Sequence, residues 1–164
     1  MTKENDSAQL SHLDSKGRLH MVDVSAKTST ARTARARGLL KCTSSTADAL
    51  LRGSLKKGEA IAAARLAGIM AAKQTGTLIP LCHPLPLDSV QIEFEKTQEG
   101  ILIQSEAKCT GRTGVEMEAL VAVTVSGLTL YDMGKSVEKE MVLSEVYLET
   151  KTGGKSGAWS RDVG

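Results

Sequence analysis

The order in which the hydrophobic period changes along residues 33–150 limits the fold of this chain more than any other feature. Apolar and polar residues alternate over 90–95, as in a half-buried strand, and the alternation resumes at 101–105 after a turn-like segment. The alanine-rich run before this hairpin has a high helix propensity and predicts a helix. The predicted elements are a strand at 33–42, a short helix capped by Ser44, Ser45 or Thr46, a helix at 59–74, an irregular proline loop at 80–86, a hairpin at 90–105, a helix from 115 to about 141 and a strand at 143–150.

The main elements therefore follow the order strand, helix, hairpin, helix, strand. This is the split βαβ arrangement, in which an antiparallel sheet carries both helices on one face. The sequence predicts an α+β fold, a ferredoxin-like two-layer sandwich. A leader at 1–20, a single catalytic domain at 21–151 and a Gly-rich tail at 152–164 are expected, with both ends flexible.

The helix that begins at residue 115 carries apolar residues nearly all round its circumference. A helix that is apolar on every side must be covered on more than one side, whereas a two-layer sandwich covers only one. We therefore expect another copy of the chain to cover this helix or the open face of the sheet. A third layer formed by loops of the same chain is the alternative.

Composition bounds the class of protein. Aromatic residues make up 2% of the chain, so the core must be built from Ala, Val, Leu, Ile and Met. A net charge of +2 is too small for non-specific attraction to nucleic acid or membranes, and no run approaches the roughly 20 apolar residues of a membrane span. Three distant cysteines form neither a disulfide framework nor a metal-binding pair. We expect a cytoplasmic protein without a metal or cofactor.

His83 stands among three prolines in the segment 79–86. A rigid loop of this kind holds a functional side chain, and an imidazole suits phosphate binding or proton transfer. A histidine that only satisfies backbone carbonyls in a tight turn is an equal alternative.

Asp132 and Lys135 are three residues apart on one predicted helical face, close enough to pair. An exposed pair of this spacing is usually without function. Asp132, however, follows a long apolar stretch, and a carboxylate desolvated beside a lysine is one way to tune a general acid or base.

Glu116 and Glu118 begin the same helix, where interaction with the helix dipole explains them adequately. Because about 21 Å of helix rise separates Glu118 from Asp132, a site that uses both must lie between subunits.

Two segments have features of phosphate-binding sites but match no specific motif. Residues 152–157 resemble a phosphate loop but lack its first glycine and its following helix, so they indicate either a glycine-rich flap or a solvated tail. The basic run 25–37 could contact phosphates or protect an edge strand from aggregation. It lacks the interleaved aromatic residues of a single-strand binder.

Five segments together resemble one known family over roughly residues 10–157. They are HMVDVSAK at 20–27, IPLCHP at 79–84, GRTGVEMEAL at 111–120, LYDMGK at 130–135 and KTGGKSG at 151–157. The chain is similar to the cyclic pyranopterin monophosphate synthase family, molybdenum cofactor biosynthesis protein C. The resemblance implies conversion of 3',8-cyclo-7,8-dihydroguanosine 5'-triphosphate to cyclic pyranopterin monophosphate and pyrophosphate. It also implies a ferredoxin-like fold and a homohexamer, a trimer of dimers with sites at subunit interfaces.

The same resemblance implies residue roles. Asp132 would be the catalytic acid or base, with Lys57, Lys73 and Lys135 nearby to bind phosphates or move protons. Substrate would be held by Leu81, Cys82, His83, Met117 and Glu118, with Arg32, Glu116, Lys151 and Lys155 as further candidates. Arg112 and Gly134 depart from the residues common at those positions, which puts only local packing in doubt.

Two other classes of function remain open at this point. An RNA-binding ferredoxin-like module could use the basic run, although the scarcity of aromatic residues disfavours it. A regulatory domain could sense a small anion at a subunit interface without turnover. Product formation separates the enzyme from both.

Overall fold

The computed structural model describes residues 16–54 and 58–162, and these residues form five strands and four helices. In chain order they are β1 Thr30–Lys41, α1 Ser44–Leu51, α2 Ala60–Lys73, α3 Thr75–Leu78, β2 Leu87–Lys96, β3 Gly100–Gly111, α4 Glu116–Gly134, β4 Val142–Thr152 and β5 Trp159–Ser160. The predicted order of the main elements is confirmed. The short α3 and β5 are additions that the hydrophobic period did not indicate.

The strands form one antiparallel sheet in the order β2-β3-β1-β4-β5. On the central strand β1, Ala34 and Ala36 are buried against the helices, whereas Arg35 and Arg37 point to the open face and pair with carboxylates of β3 and β4. Small side chains on one face allow α2 and α4 to pack closely on the sheet. The expected α+β ferredoxin-like sandwich, with helices on one face, is confirmed.

Helices α2 and α4 run antiparallel and touch through small residues. The Ser126 hydroxyl donates to the Ala64 carbonyl at 3.0 Å. A Cβ atom added at Gly68 would lie 2.2 Å from the Ser126 hydroxyl oxygen and 2.8 Å from the Ala122 carbonyl oxygen, so only glycine fits this crossing. The C-terminal end of α2, at Lys73, therefore lies toward the N-terminal end of α4.

Helix α4 ends at Gly134, about two turns before the predicted end near residue 141. The chain turns there because Gly134 leaves room for Met141, whose Cε would lie 2.9 Å from a Cβ at that position. Met141 is 4% exposed, so it fills the core beneath the turn before β4 begins. The cap of α1 is also corrected: Thr43, one residue before the predicted caps, accepts the bond from the Thr46 amide.

The rest of the chain covers most of the apolar surface of α4. This corrects the expectation that a two-layer sandwich would cover only one side of the helix. The sheet covers one side and α2 covers another. Large apolar side chains remain exposed on both helices, namely Leu66, Met70 and Leu128. None of the helices in the described ranges is long and apolar enough to cross a membrane.

The Gly-rich stretch at 152–164 contains β5, which pairs with β4. Its described part is therefore joined to the sheet. Residues 1–15 of the expected leader lie outside the described residues. The division into leader, domain and tail stays a prediction.

Candidate functional site

Two adjoining cavities open beside the N-terminal end of α4. The first has a volume of about 360 Å³ and the second about 600 Å³. Lys27, Thr113, Gly114 and Glu116 line both, so the cavities share one wall. The candidate residues that line them are Arg32, Leu81, Cys82, His83, Glu116, Met117, Glu118 and Lys155.

Glu118 is the buried acid of the first cavity, which we name the carboxyl cavity. Its side chain lies in the first turn of α4, yet the residue is only 3% exposed. Its pKa is raised to about 7, chiefly by burial; a hydrogen bond to its own backbone opposes the rise and the nearby charge of Glu116 adds to it. A carboxyl group with this pKa exchanges its proton near neutral pH.

The proline loop forms another part of the wall of the carboxyl cavity. Its turn is closed by the Cys82 amide, which donates to the Ile79 carbonyl at 3.0 Å. A Cβ at Gly76 would lie 2.9 Å from the Pro84 Cα, so α3 and the loop pack backbone to backbone. Burial, followed by the charge of Glu118, raises the pKa of the Cys82 thiol, which therefore stays protonated at neutral pH. This loop holds His83 and Cys82 in the same cavity as Glu118.

The second cavity, which we name the cationic cavity, is lined by four basic side chains and one carboxylate. The basic residues are Lys27, Arg32, Arg112 and Lys155, and the carboxylate is Glu116. The Arg32 guanidinium donates to the Gly111 carbonyl at 2.9 Å and to the Arg112 carbonyl at 3.3 Å. Arg32 is thereby fixed against the turn that precedes α4. Such a concentration of cations suits a ligand with several negative charges.

Lys151 does not line the two cavities but lies beside their shared wall. Its ammonium group pairs with the Glu116 carboxylate at 2.9 Å, and both side chains are about one-third exposed or less. Lys151 thereby neutralises the charge of Glu116, the one acid that lines the cationic cavity. Lys151 therefore acts on this region through Glu116 in the single chain.

Asp132 and Lys135 lie at the opposite end of α4 from these cavities. They form an ion pair at 2.7 Å, with side chains 58% and 51% exposed. A hydrogen bond to Asp132 raises the pKa of Lys135. The expectation that Asp132 is desolvated is wrong for the single chain, because more than half of its side-chain surface is exposed. The buried carboxyl of the helix is Glu118 instead.

The two remaining lysine candidates have different outcomes. Lys73 is exposed at the end of α2 that lies toward Glu118. Lys57 lies outside the described residues. The described residues contain no group of three or more His, Cys, Asp and Glu side chains arranged to hold a metal ion.

Sequence reasoning did not assign Lys27 and Arg112 to a site. Lys27 was noted in the basic run and at the end of the segment 20–27, and Arg112 as a departure from the family pattern within the segment 111–120, but neither was given a role. The signal for Arg112 was its place between two glycines just before a helix, where backbone amides and a cation favour anions. Val22 and Val24, which also line the carboxyl cavity, carried no signal beyond their apolar character.

The chain matches the model of the MoaC family over residues 21–154. A cyclic pyranopterin monophosphate synthase of Herpetosiphon aurantiacus is 54% identical over 150 residues, which cover 90% of this chain and 92% of the relative. Those of Novosphingobium aromaticivorans and Corynebacterium efficiens are 53% and 50% identical, covering 92% and 93% of this chain and 96% and 99% of the relatives.

Proposed function

This chain belongs to the MoaC family, and from that membership we propose that it converts 3',8-cyclo-7,8-dihydroguanosine 5'-triphosphate to cyclic pyranopterin monophosphate and pyrophosphate. The activity is that of a cyclic pyranopterin monophosphate synthase, a lyase of molybdenum cofactor biosynthesis. The reaction opens and closes rings and forms a cyclic phosphodiester. It moves protons and phosphoryl groups without a net change in oxidation state.

The observation that carries the proposal is the contrast between the two adjoining cavities. One holds a buried carboxyl group and apolar walls, and the other is lined by four cations. A substrate with a guanine-derived ring at one end and a triphosphate at the other has the same contrast. The ring would lie in the carboxyl cavity and the triphosphate in the cationic cavity.

The ring is held by the side chains that face the carboxyl cavity. Glu118 accepts hydrogen bonds from the N–H groups of the guanine-derived ring when it is ionised. His83, Cys82 and Leu81 form another part of the wall, and Met117 packs beside the ring. Arg32 and Lys155 bind the triphosphate, with Lys27 and Arg112 beside them.

The proton transfers are assigned to Asp132 with Lys135. Asp132 lies on α4 roughly 21 Å from Glu118 along the helix, and Lys135 follows the end of that helix, so one chain cannot bring this pair and Glu118 to the same small molecule. A second copy must therefore supply them, and Lys57 and Lys73 add positive charge to this shared site. We assign the assembly as a homohexamer, a trimer of dimers with sites at subunit interfaces. The exposed Leu66, Met70 and Leu128 support an interface on the helical face.

The proposal is tested by incubating the purified protein with the cyclised nucleotide in the presence of a chelator and following the products by mass analysis. We expect the pterin and pyrophosphate to appear in equal amounts. A folded protein that binds the nucleotide and returns it unchanged would refute the enzyme and favour anion sensing. A salt-dependent gel shift with generic RNA would favour the RNA-binding class instead. The cytoplasmic location remains a proposal.

A further inference from the structure

The chain after β4 turns back on the sheet and closes a hairpin. Trp159 pairs with Lys151 and Ser160 pairs with Thr150 in the antiparallel register of β4 and β5. The Arg161 amide then donates to the Glu149 carbonyl at 2.9 Å. The Gly-rich segment 153–158 is therefore a loop held at both ends.

This loop forms one wall of the cationic cavity. Gly154, Lys155 and Ser156 line the cavity directly. Gly154 adopts a φ of +73° and approaches the Arg32 guanidinium so closely that an added Cβ would lie 2.3 Å from it. Gly153, at φ +94°, lies equally close to the Ala31 carbonyl. The distance between Lys155 and Arg32 therefore depends on where the loop sits.

Arg161 clamps the far side of the hairpin. Its guanidinium lies 5.0 Å from the ring centroid of Tyr147 and 5.9 Å from that of Trp159. Its Nε donates to the Leu148 carbonyl at 3.0 Å. Tyr147 and Trp159 are two of only four aromatic residues in the chain. Arginine is well suited to this place because the face of its guanidinium packs on rings while its N–H groups donate hydrogen bonds in the plane of the guanidinium.

We propose that Arg161 is a positioning residue for polyphosphate binding: stacked on Tyr147 and Trp159, it holds the loop that carries Lys155 closed against Arg32. Arg161 does not line the cavity, so it acts through Lys155 rather than by touching the ligand. The identity of the ligand as a polyphosphate rests on the proposed function. A loop that is already ordered binds more tightly, because less conformational freedom is lost on binding.

The test is a calorimetric titration of the full chain with inorganic tripolyphosphate at fixed ionic strength. We expect Arg161→Ala to weaken binding about fivefold to tenfold, the size expected from losing two exposed ring contacts and one hydrogen bond. Tyr147→Leu changes no charge and is expected to give a loss of similar size. Tyr147→Phe keeps the ring and should bind as the unmodified chain does.

Arg52→Ala is the matched control for charge, because Arg52 is exposed at the end of α1 and lines neither cavity. It should leave the affinity unchanged. Unaltered binding in Arg161→Ala would overturn the proposal. So would weak binding in Arg161→Ala together with full binding in Tyr147→Leu, since that result would assign the effect to charge alone.

Trp159 gives a second measurement that needs no ligand, because it is the only tryptophan in the chain. In Arg161→Ala the indole loses its cation and should become more accessible to acrylamide. We therefore expect stronger quenching of the Trp159 fluorescence and no shift of its emission to shorter wavelength. Equal quenching in both proteins would refute the clamp. If the unmodified chain failed to bind tripolyphosphate while the quenching changed as expected, the phosphate site of the proposed function would fail and the clamp would stand.

Discussion

The two ends of α4 carry carboxylates in opposite surroundings. Glu118, in the first turn, is 3% exposed and has a pKa raised to about 7. Asp132, near the last turn, has a side chain 58% exposed and pairs with Lys135 on the surface. The same helix thus presents one acid to a cavity and another to solvent.

The difference arises from what packs against each end. The proline loop, the segment containing Val22 and Val24, and the turn after β3 all surround Glu118. The last turn of α4 is followed directly by the turn that leads to Met141 and β4. The N-terminal end of α4 therefore forms a binding cavity within one chain, whereas the C-terminal end acquires a comparable environment only if another copy covers it.

The largest expected effect is that of Asp132→Asn. If a second copy brings Asp132 to the substrate as an acid or base, the substitution lowers kcat about a hundredfold to ten-thousandfold. Substrate affinity stays near that of the unmodified chain, because Asn preserves the shape. Steady-state kinetics and calorimetry measure the two quantities. Glu95→Gln, exposed on β2 and outside both cavities, is the control and should turn over normally. Undiminished conversion by Asp132→Asn would sink the assignment.

The next effect concerns Glu118 and pH. Its pKa rises from 4.5 to about 7 on folding, so below pH 4.5 the group is protonated in both states and costs nothing. As the pH rises through this window, the unfolded chain releases the proton first and stability is lost; above about 7 the cost is constant. Glu118→Gln removes this dependence, and its stability relative to the unmodified chain should increase by about 3 kcal/mol between pH 4 and pH 8.

Urea unfolding at several pH values measures that change in the free energy of unfolding. The comparison at pH 4 serves as the internal control, because it contains the packing effect of the substitution without the ionisation. Parallel stability curves for the two proteins would show that Glu118 titrates as an exposed carboxyl does. We also expect Glu118→Gln to lower kcat/KM about a hundredfold, since an amide cannot accept both ring N–H groups.

A third experiment asks whether the two ends of α4 meet between chains. Asp132→Asn and Glu118→Gln are each weakly active alone, and we expect activity to return when the two are unfolded, mixed in equal amounts and refolded. Random mixing restores about one quarter of the sites if each site takes one residue from each copy. Mixing each variant with itself is the control. No recovery in a properly assembled mixture would place both residues in the same chain's site.

The smallest expected effect is that of Lys155→Ala. Loss of one phosphate-binding cation should raise KM about tenfold and leave kcat nearly unchanged, because the triphosphate is bound in both the ground state and the transition state. Arg52→Ala removes one cation elsewhere and should leave KM as it was. A fall in kcat with KM unchanged would assign Lys155 to the chemical step instead.

The sequence predicted the fold well because its signals are local and repeated. The alternation in β2 and β3 and the alanine-rich character of α2 each span many residues, so each element was recognised without knowledge of its neighbours. The end of α4 was misplaced because Val137 and Met141 continue the helical spacing of apolar residues beyond Gly134. Only the room that Gly134 leaves for Met141 shows why the chain turns there.

The site was predicted less evenly. Cys82 and His83 are neighbours in the proline loop and Glu118 lies far along the chain, and the family resemblance named the three together before the cavity was known. Burial was assigned to the wrong acid, because Asp132 follows an apolar stretch whereas Glu118 lies in the first turn of the helix, where interaction with the helix dipole explained it adequately. Neighbours along the chain do not decide burial.

What the sequence determined by itself was the set of strands and helices, their order and the side chains available for chemistry, because propensity and hydrophobic period are properties of short segments. The tertiary structure decided which of those side chains share a cavity, which acid loses contact with water and where the Lys155 loop rests against Arg32. Solvation and electrostatic interaction depend on distance in space. The sequence does not contain those distances until the elements have packed.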